Sequence, residues 1–230
     1  MNKEIIVSAR KVRRKKKVVK TLKLIILFIL LLLLIMYVVF AVLYKGGSFS
    51  VNLDRELYLK NNIIIYDDPD YKEFRSELYA ETLEHLDNIS YKWLPDDLND
   101  RSNGSHNGEN FIAYTFFIEN LGTEIADYWS EVVIDEAVKG MDEAIRIRVY
   151  KNGEEVTYAK MSRNGTPEPE TVPFESDSLV VREHVVNFSP GDLDKYTIVI
   201  WLEGTDPECT DNILGGQIRF HMDFKSEIIK

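Results

Sequence analysis

The chain has 230 residues, of which 45% are hydrophobic and 29% are charged, and its formal net charge is −10. The charge is unevenly distributed: residues 1–23 hold ten basic residues against one acid, residues 24–44 hold no charge, and the remaining 186 residues carry a net charge of −19. The acidic body excludes nucleic acid as its natural partner, because phosphate binding needs a basic surface, and the uncharged stretch excludes a soluble cytosolic enzyme.

Residues 24–44 predict a transmembrane helix. These 21 residues are uncharged and nearly all Leu, Ile, Val or Phe. A helix of this length spans about 30 Å, which is the thickness of the hydrocarbon core of a bilayer. Val39-Phe40-Ala41 also resembles a signal-peptide cleavage site, but the apolar run is longer than the 7–15 residues typical of such a signal. We therefore predict an uncleaved anchor that uses the lipid bilayer as a partner.

The charges on either side of this segment predict its orientation. A basic run, residues 10–17, precedes the segment, whereas only Lys45 follows it closely. Basic residues are retained on the cytoplasmic side of a membrane helix. Residues 1–23 are therefore predicted to be a basic cytoplasmic tail, and residues 45–230 are predicted to be extracellular.

Residues 45–110 are predicted to connect the membrane helix to the main domain. Four apolar residues between positions 69 and 89 recur at spacings of four, eight and three, which predicts a short amphipathic helix. These residues are Phe74, Leu78, Leu86 and Ile89. Residues 61–66 are typical of a short strand, and residues 95–108, rich in Gly and Asn, are typical of a loop.

Residues 111–230 are predicted to form a mainly β domain, because short apolar runs alternate there with turn residues. The predicted strands are 111–118, 128–138, 144–150, 155–159, 179–188, 196–202 and 217–224. In the third strand, Arg146 and Arg148 alternate with apolar residues and are expected to point outward. Asn152-Gly153, which follows it, is the strongest two-residue hairpin signal. Such strands without intervening helices predict an antiparallel β-sandwich or jelly roll.

Calcium is the better metal candidate in this sequence. Five oxygen-bearing side chains fall within eight residues of the acidic loop: Asp96, Asp97, Asn99, Asp100 and Asn103. An extracellular acidic loop suits this hard cation, although Arg101 occupies a ligand position of the EF-hand pattern. A second acidic cluster consists of Asp206, Glu208 and Asp211. The alternative interpretation of both clusters is a solvated loop that binds no metal.

No catalytic motif is visible, so the sequence predicts a protein that is not an enzyme. The four histidines, among them His184 and His221, include no His-Glu-x-x-His motif, and neither Gly-x-Ser-x-Gly nor Ser-x-x-Lys occurs. A zinc site assembled from distant residues stays open as an alternative. Cys209 is the single cysteine, which excludes an intramolecular disulfide.

Three segments together resemble a known group of proteins. They read FIAYTFFIENLG from residue 111, AIRIRVYKNG from residue 144, and YTIVIWLEGTDPECTD from residue 196, which leads to GGQIRFHMD from residue 215. Over roughly residues 110–224 they resemble the TasA/camelysin-type surface proteins of Gram-positive bacteria. The resemblance implies an extracellular jelly-roll domain, with biofilm matrix fibres built by strand exchange in some members. Members usually lose a signal peptide, so the anchor predicted here implies a membrane-tethered relative.

Three functional hypotheses follow. The leading one is a membrane-anchored surface protein with a structural or binding role, whose other surface or matrix partners add to an exposed strand edge. The second is a calcium-binding accessory or sensing ectodomain. The third is a surface metallopeptidase, which the missing zinc motif disfavours.

Overall fold

The structure is a computed structural model that describes residues 2–43 and 47–226, with side chains in the first helix described for residues 16–38. The chain divides into two compact units, residues 1–44 and residues 45–230. Tyr44, the last residue of the predicted membrane segment, and Lys45, which follows it, lie outside the described residues.

The first unit is a single helix, α1 (Asn2–Leu43), of 42 residues. Within it, Lys16–Val38 has a mean hydropathy of 2.9, and none of these 23 residues is buried. A helix that exposes apolar side chains on all sides is unstable in water, which is why such a segment favours a lipid environment. The prediction of one N-terminal helix apolar and long enough to span a membrane is confirmed, although a signal sequence has the same properties.

The second unit is mainly β. Its strands are β1 (Gly47–Leu53), β2 (Ile63–Tyr66), β3 (Glu77–Tyr79), β4 (Asn88–Ile89), β5 (Gly104–Ser105), β6 (Phe111–Asn120), β7 (Ala126–Ala137), β8 (Ile145–Lys151), β9 (Glu154–Ala159), β10 (Val172–Pro173), β11 (Leu179–Phe188), β12 (Leu193–Glu203) and β13 (Ile218–Lys225). One short helix, α2 (Arg55–Asn61), and four 3₁₀ turns complete it; the turns are Tyr91–Trp93, Leu98–Asp100, Met141–Glu143 and Asp211–Ile213.

The strands form two sheets. The first has the order β11-β7-β13-β1-β3, and the second has the order β10-β9-β8-β12-β6-β2, with β4 beside β12 and β5 beside β6. β1 runs parallel to β13 from the pair Gly47 and Ile218 to the pair Leu53 and Phe224. β10 runs parallel to β9, and β4 runs parallel to β12. Both sheets are therefore mixed, and the prediction of purely antiparallel pairing is wrong.

A single hydrophobic cluster contains buried residues from both sheets. Within it, Phe116 of β6 stacks on Tyr196 of β12 with ring centroids 5.5 Å apart. Phe224 of β13, in the other sheet, meets both rings edge-on at 5.9 and 5.5 Å. Aromatic pairs of this geometry stabilise a core beyond the area that they bury. The core therefore joins the two sheets.

Residues 47–105 contribute five strands to these sheets, so the predicted connecting region 45–110 is part of the β unit. No helix forms between residues 69 and 89, where the chain is mostly irregular and contains the short strands β3 and β4. Leu78 is buried in β3 against Val51 of β1. The amphipathic helix predicted there is wrong, because the apolar spacing reflects separate contacts of an extended chain. The short helix of this region is α2.

The hairpin between β8 and β9 is confirmed. Asn152 and Gly153 connect the strands with φ values of 52° and 94°. Two positive φ angles define the turn that matches the twist of a two-residue hairpin, and Asn followed by Gly adopts them at little cost.

Candidate functional site

A cavity of about 520 Å³ lies beside the outer face of the second sheet. Its walls come from β8, β9 and β12, from residues 162–171 and 205–208, and from Tyr91. This volume falls within the range of small-molecule sites, about 300–1,000 Å³. The two loop segments cover a sheet face that the strand pattern alone would expose to water.

A buried ion network holds the two loops against the sheet. Arg146 of β8 contacts Asp206 at 2.7 Å and Glu168 at 3.1 Å, and it also donates to the Ile145 carbonyl. The side chains of Arg146, Glu168 and Asp206 are 5%, 6% and 0% exposed. Arg146 was predicted to point outward, which it does, but the loops bury it. The guanidinium therefore connects β8 to both loops at once.

The network carries more acid than base, because Glu208 lies beside it. Burial raises the pKa of Asp206, and the hydrogen bond that it shares with Glu208 raises it further. The same hydrogen bond lowers the pKa of Glu208. Burial and the charge of Asp206 raise the pKa of Glu168. The Oε2 atom of Glu208 is buried and has no hydrogen-bond partner among the described residues.

Glu203 of β12 organises the aromatic wall of the cavity. Its Oε2 atom accepts hydrogen bonds from Trp201 Nε1 and from the Tyr91 backbone N–H, both at 2.9 Å. Its Oε1 atom accepts from the backbone and the hydroxyl of Thr205. Burial raises the pKa of Glu203, but these hydrogen bonds outweigh it and hold the pKa below its usual value. A carboxylate fixed in this way stays ionised and positions the residues around it.

Arg148 completes this wall. Its guanidinium lies 5.4 Å from the centre of the Trp201 ring, and its Nε donates to the Thr157 hydroxyl at 2.9 Å. A guanidinium over an indole face is attracted by the ring quadrupole. The two arginines of β8 therefore have different partners: Arg146 binds buried acids, and Arg148 covers an aromatic ring.

Three carboxylates of the cavity could hold a metal ion. Glu168, Asp206 and Glu208 each bring one oxygen within 4.8 Å of the others. Carboxylate oxygens suit Ca²⁺, which accepts six to eight of them in flexible geometry. Arg146 already neutralises two of the three groups, so a cation would share its ligands with a guanidinium. The donor set fits calcium, and the neighbouring positive charge weakens that fit.

The loop for which the sequence predicted calcium is arranged differently. Asp97 pairs with Arg101 at 2.8 Å, and the backbone carbonyl of Asn99 accepts a hydrogen bond from Lys195. Asp96, Asp100 and Asn103 are exposed. No three acids, histidines or cysteines of this loop converge as Glu168, Asp206 and Glu208 do, within the part of the chain that is described.

The second predicted cluster is partly reproduced. Asp206 and Glu208 come together in the cavity, whereas Asp211 begins the Asp211–Ile213 turn, is exposed and lies outside the group. Sequence reasoning missed Glu168 and Glu203. Glu168 lies in the segment Pro167-Glu168-Pro169, whose only signal was that of a turn.

The histidines do not join a metal group within the described ranges. His221, on the outer face of the first sheet, lies between Asp135 at 2.8 Å and Asp223 at 3.3 Å. The hydrogen bond to Asp223, the more buried acid, and then that to Asp135 raise the pKa of His221 to about 9. His106 is half-buried, and burial lowers its pKa. Cys209 is half-buried and unpaired, and burial raises its thiol pKa.

Comparison with known proteins leaves the chain without a family. No family model and no curated protein matches it. Among solved structures, a β-glucosidase from Kluyveromyces marxianus is similar with a TM-score of 0.27 at 12% identity, over 73% of this chain and 15% of that one. AvmM, which catalyses macrocyclization in alchivemycin A biosynthesis, is similar with a TM-score of 0.22 at 10% identity, over 53% of this chain and 82% of that one. Likenesses this weak carry no functional argument, so the resemblance to TasA/camelysin-type proteins stays a prediction.

Proposed function

We propose that this protein is a single-pass membrane protein whose β unit lies outside the cell and serves a binding role rather than a catalytic one. The charge distribution is the observation that supports this proposal most directly. Ten basic residues precede the apolar segment 24–44, and the net charge of the residues after it is −19. The positive-inside rule then favours a cytoplasmic N-terminus. The cavity and its fixed wall support binding, since polar groups held in place are what a specific site needs.

Protease digestion of intact cells tests this topology. For this experiment, one epitope tag is inserted at Asn2 and a second is inserted in the exposed hairpin at Gly153. We expect added protease to remove the hairpin tag from intact cells and to spare the N-terminal tag, which is lost only after lysis. Protection of the hairpin tag would contradict an outer β unit. Recovery of the β unit in the medium, cut near Val42, would contradict the anchor.

The arrangement of the sheets is proposed to be a sandwich of the jelly-roll type. The support is the shared core of the two sheets, to which Phe116 and Phe224 contribute from opposite sides. Sandwiches leave strand edges that other chains can meet. Here β11 forms one edge of the first sheet and is ten residues long.

The later half of β11 is the edge that we propose for surface or matrix partners. The N–H of Arg182 is bonded to Glu175 and that of Asn187 to Asp127, and between them Val186 is 53% exposed. A lysine on an edge strand discourages pairing with another strand. We expect Val186→Lys to reduce assemblies that the purified full chain forms, measured by sedimentation, whereas Leu214→Lys, at another exposed apolar position, leaves them unchanged. Equal sedimentation of both variants and the parent would contradict the edge.

Calcium binding is the second candidate, favoured by the spacing of Glu168, Asp206 and Glu208. An ion that binds only the folded state raises the Tm. We expect Ca²⁺ to raise the Tm of the full chain, and Glu208→Gln to remove that rise. Asp100→Asn tests the originally predicted loop, and Glu154→Gln is an exposed control. A rise lost only in Asp100→Asn would assign calcium to the loop, and no rise would exclude the candidate.

A further inference from the structure

We propose that the cavity between the second sheet and residues 162–171 binds a saccharide unit that carries no acid group, with Tyr91 as the aromatic contact at its rim. The proposal deepens the binding role proposed above by naming a ligand class. It rests on the lining of the cavity and does not depend on membrane topology. An experiment can therefore contradict the saccharide proposal without contradicting the proposed topology, and the reverse.

The first support is the combination of aromatic and hydroxyl groups. A sugar ring has C–H bonds on its faces and hydroxyl groups around its rim, so it needs an apolar surface next to mixed donors and acceptors. Tyr91 is 39% exposed and Trp201 forms the wall behind it. Thr157, Ser162 and Thr171 also line the cavity. The Thr157 hydroxyl accepts from Arg148 and can still donate, whereas the Ser162 and Thr171 hydroxyls donate to loop carbonyls and can still accept. This combination is typical of a site for a polyhydroxylated ligand.

The second support is a buried carboxylate oxygen that accepts from no N–H group or hydroxyl. Glu208 shares a hydrogen bond with the Asp206 carboxyl group, but its Oε2 atom, buried at the cavity, accepts from no N–H group or hydroxyl of the described residues. Buried carboxylate oxygens are normally paired, because desolvation without a partner is costly. A ligand hydroxyl is a donor of suitable size, and the wall fixed by Glu203 would hold the aromatic side of the site in place without further ordering.

The third support is charge, which selects among saccharides. Five acids line the cavity against two arginines; the acids are Glu168, Glu170, Glu203, Asp206 and Glu208. Arg146 forms ion pairs with two of these acids, and Arg148 lies over the Trp201 ring. Anionic ligands, including uronic acids and phosphosugars, therefore meet an excess of like charge. The positive charge of the same two arginines also disfavours the binding of a simple cation.

The test measures saccharide binding to the full chain in lipid nanodiscs, because sugar-based detergents would compete. The probes are glucose, N-acetylglucosamine and glucuronic acid. Saturation-transfer NMR measures the binding of each. We expect millimolar binding of at least one neutral sugar, with glucuronic acid at least about tenfold weaker. Spermidine serves as the cationic probe and is expected to bind no more tightly than the neutral sugar.

Two variants connect binding to the cavity. Tyr91→Ala removes the rim aromatic and keeps the backbone N–H that donates to Glu203, and Glu208→Leu removes the carboxylate acceptor. We expect each to weaken sugar binding at least about tenfold, while Tyr79→Ala, at a tyrosine 67% exposed and outside the cavity, leaves it unchanged. Thermal unfolding of each variant checks the fold. The proposal is overturned if no neutral sugar binds, if glucuronic acid binds equally, if spermidine alone binds, or if Tyr79→Ala has the same effect as Tyr91→Ala.

Discussion

Arg146 is the residue whose loss should damage the cavity most. Its side chain is 5% exposed and neutralises Glu168 and Asp206, which have almost no access to water. Removing one member of a buried ion pair leaves an uncompensated charge, at a cost of about 3–5 kcal/mol. We expect Arg146→Ala to lower the free energy of unfolding by about that amount in urea titrations of the full chain.

The matched control is Arg219→Ala. Arg219 pairs with Glu136 on the surface, and its side chain is 57% exposed. Exposed ion pairs contribute about 0–1 kcal/mol. If Arg146→Ala proves as mild as Arg219→Ala, the buried network does not hold the loops, and the cavity walls have another origin.

His221 gives the β unit a pH-dependent stability. Its pKa in the folded protein is about 9, against an ordinary value of 6.5. The stabilisation is therefore complete below pH 6.5 and is lost as the pH rises through 9. For a half-buried group we expect about 1–2 kcal/mol after solvent screening.

The measurement compares the parent chain with His221→Gln between pH 6 and 10. We expect the difference in unfolding free energy to be largest at pH 6 and to disappear above pH 9. His85, which is exposed, provides the control variant His85→Gln. A stability difference that does not change with pH would show that His221 acts through packing rather than through charge.

The sequence predicted some residues of the candidate site and missed others, and the difference is whether they are close together along the chain. Asp206 and Glu208 lie two positions apart, so a local pattern could detect them. Arg146 and Glu168 reach the same place from positions 60 and 38 residues before Asp206, and alternation in a strand cannot tell whether a loop will cover its polar face. The candidate site was therefore visible only in part.

At the scale of elements, strands with local signals were predicted well. β11 has the predicted bounds, and Asn152-Gly153 forms the predicted hairpin. The pairing of β1 with β13 was not predictable, because its partners are about 170 residues apart and parallel neighbours leave no turn signal between them. That pairing makes the first sheet mixed, whereas the second sheet is mixed through β9 with β10 and β4 with β12.

The junction of α2 with the turn after β6 allows a prediction about packing between elements. A Cβ atom at Gly122 would lie 2.1 Å from the carbonyl oxygen of Asn61, at the end of α2. Backbone atoms cannot move aside as a side chain can, so overpacking there should cost about 1–3 kcal/mol or more. We expect Gly122→Ala to lower the free energy of unfolding by at least about 2 kcal/mol.

Gly47→Ala is the control for this junction. A Cβ atom there would lie 3.1 Å from the flexible end of Ile112, and alanine suits a strand better than glycine does. We expect a change within about 1 kcal/mol. Equal losses in both variants would indicate that glycines of the β unit are generally intolerant of substitution, and that the close contact at the α2 junction has no special effect.

For the whole molecule, orientation in the membrane is the property that the charge distribution should control. Seven basic residues lie between positions 10 and 17, Lys20 and Lys23 follow them, and no charge then occurs until Lys45. Basic residues near a membrane helix set its orientation, whereas acids contribute little. We expect replacement of these seven residues by glutamine to place a fraction of the chains with the β unit inside, measured as protease protection of the hairpin tag at Gly153.

The control replaces seven acidic residues between positions 54 and 109 by glutamine, which changes the total charge by the same magnitude on the other side of the helix. If orientation depended on net charge difference, both variants would invert to a similar extent. If it depends on basic residues, only the first variant inverts. A first variant that keeps every hairpin tag accessible would mean that the folded β unit, rather than the basic run, determines which side of the membrane it occupies.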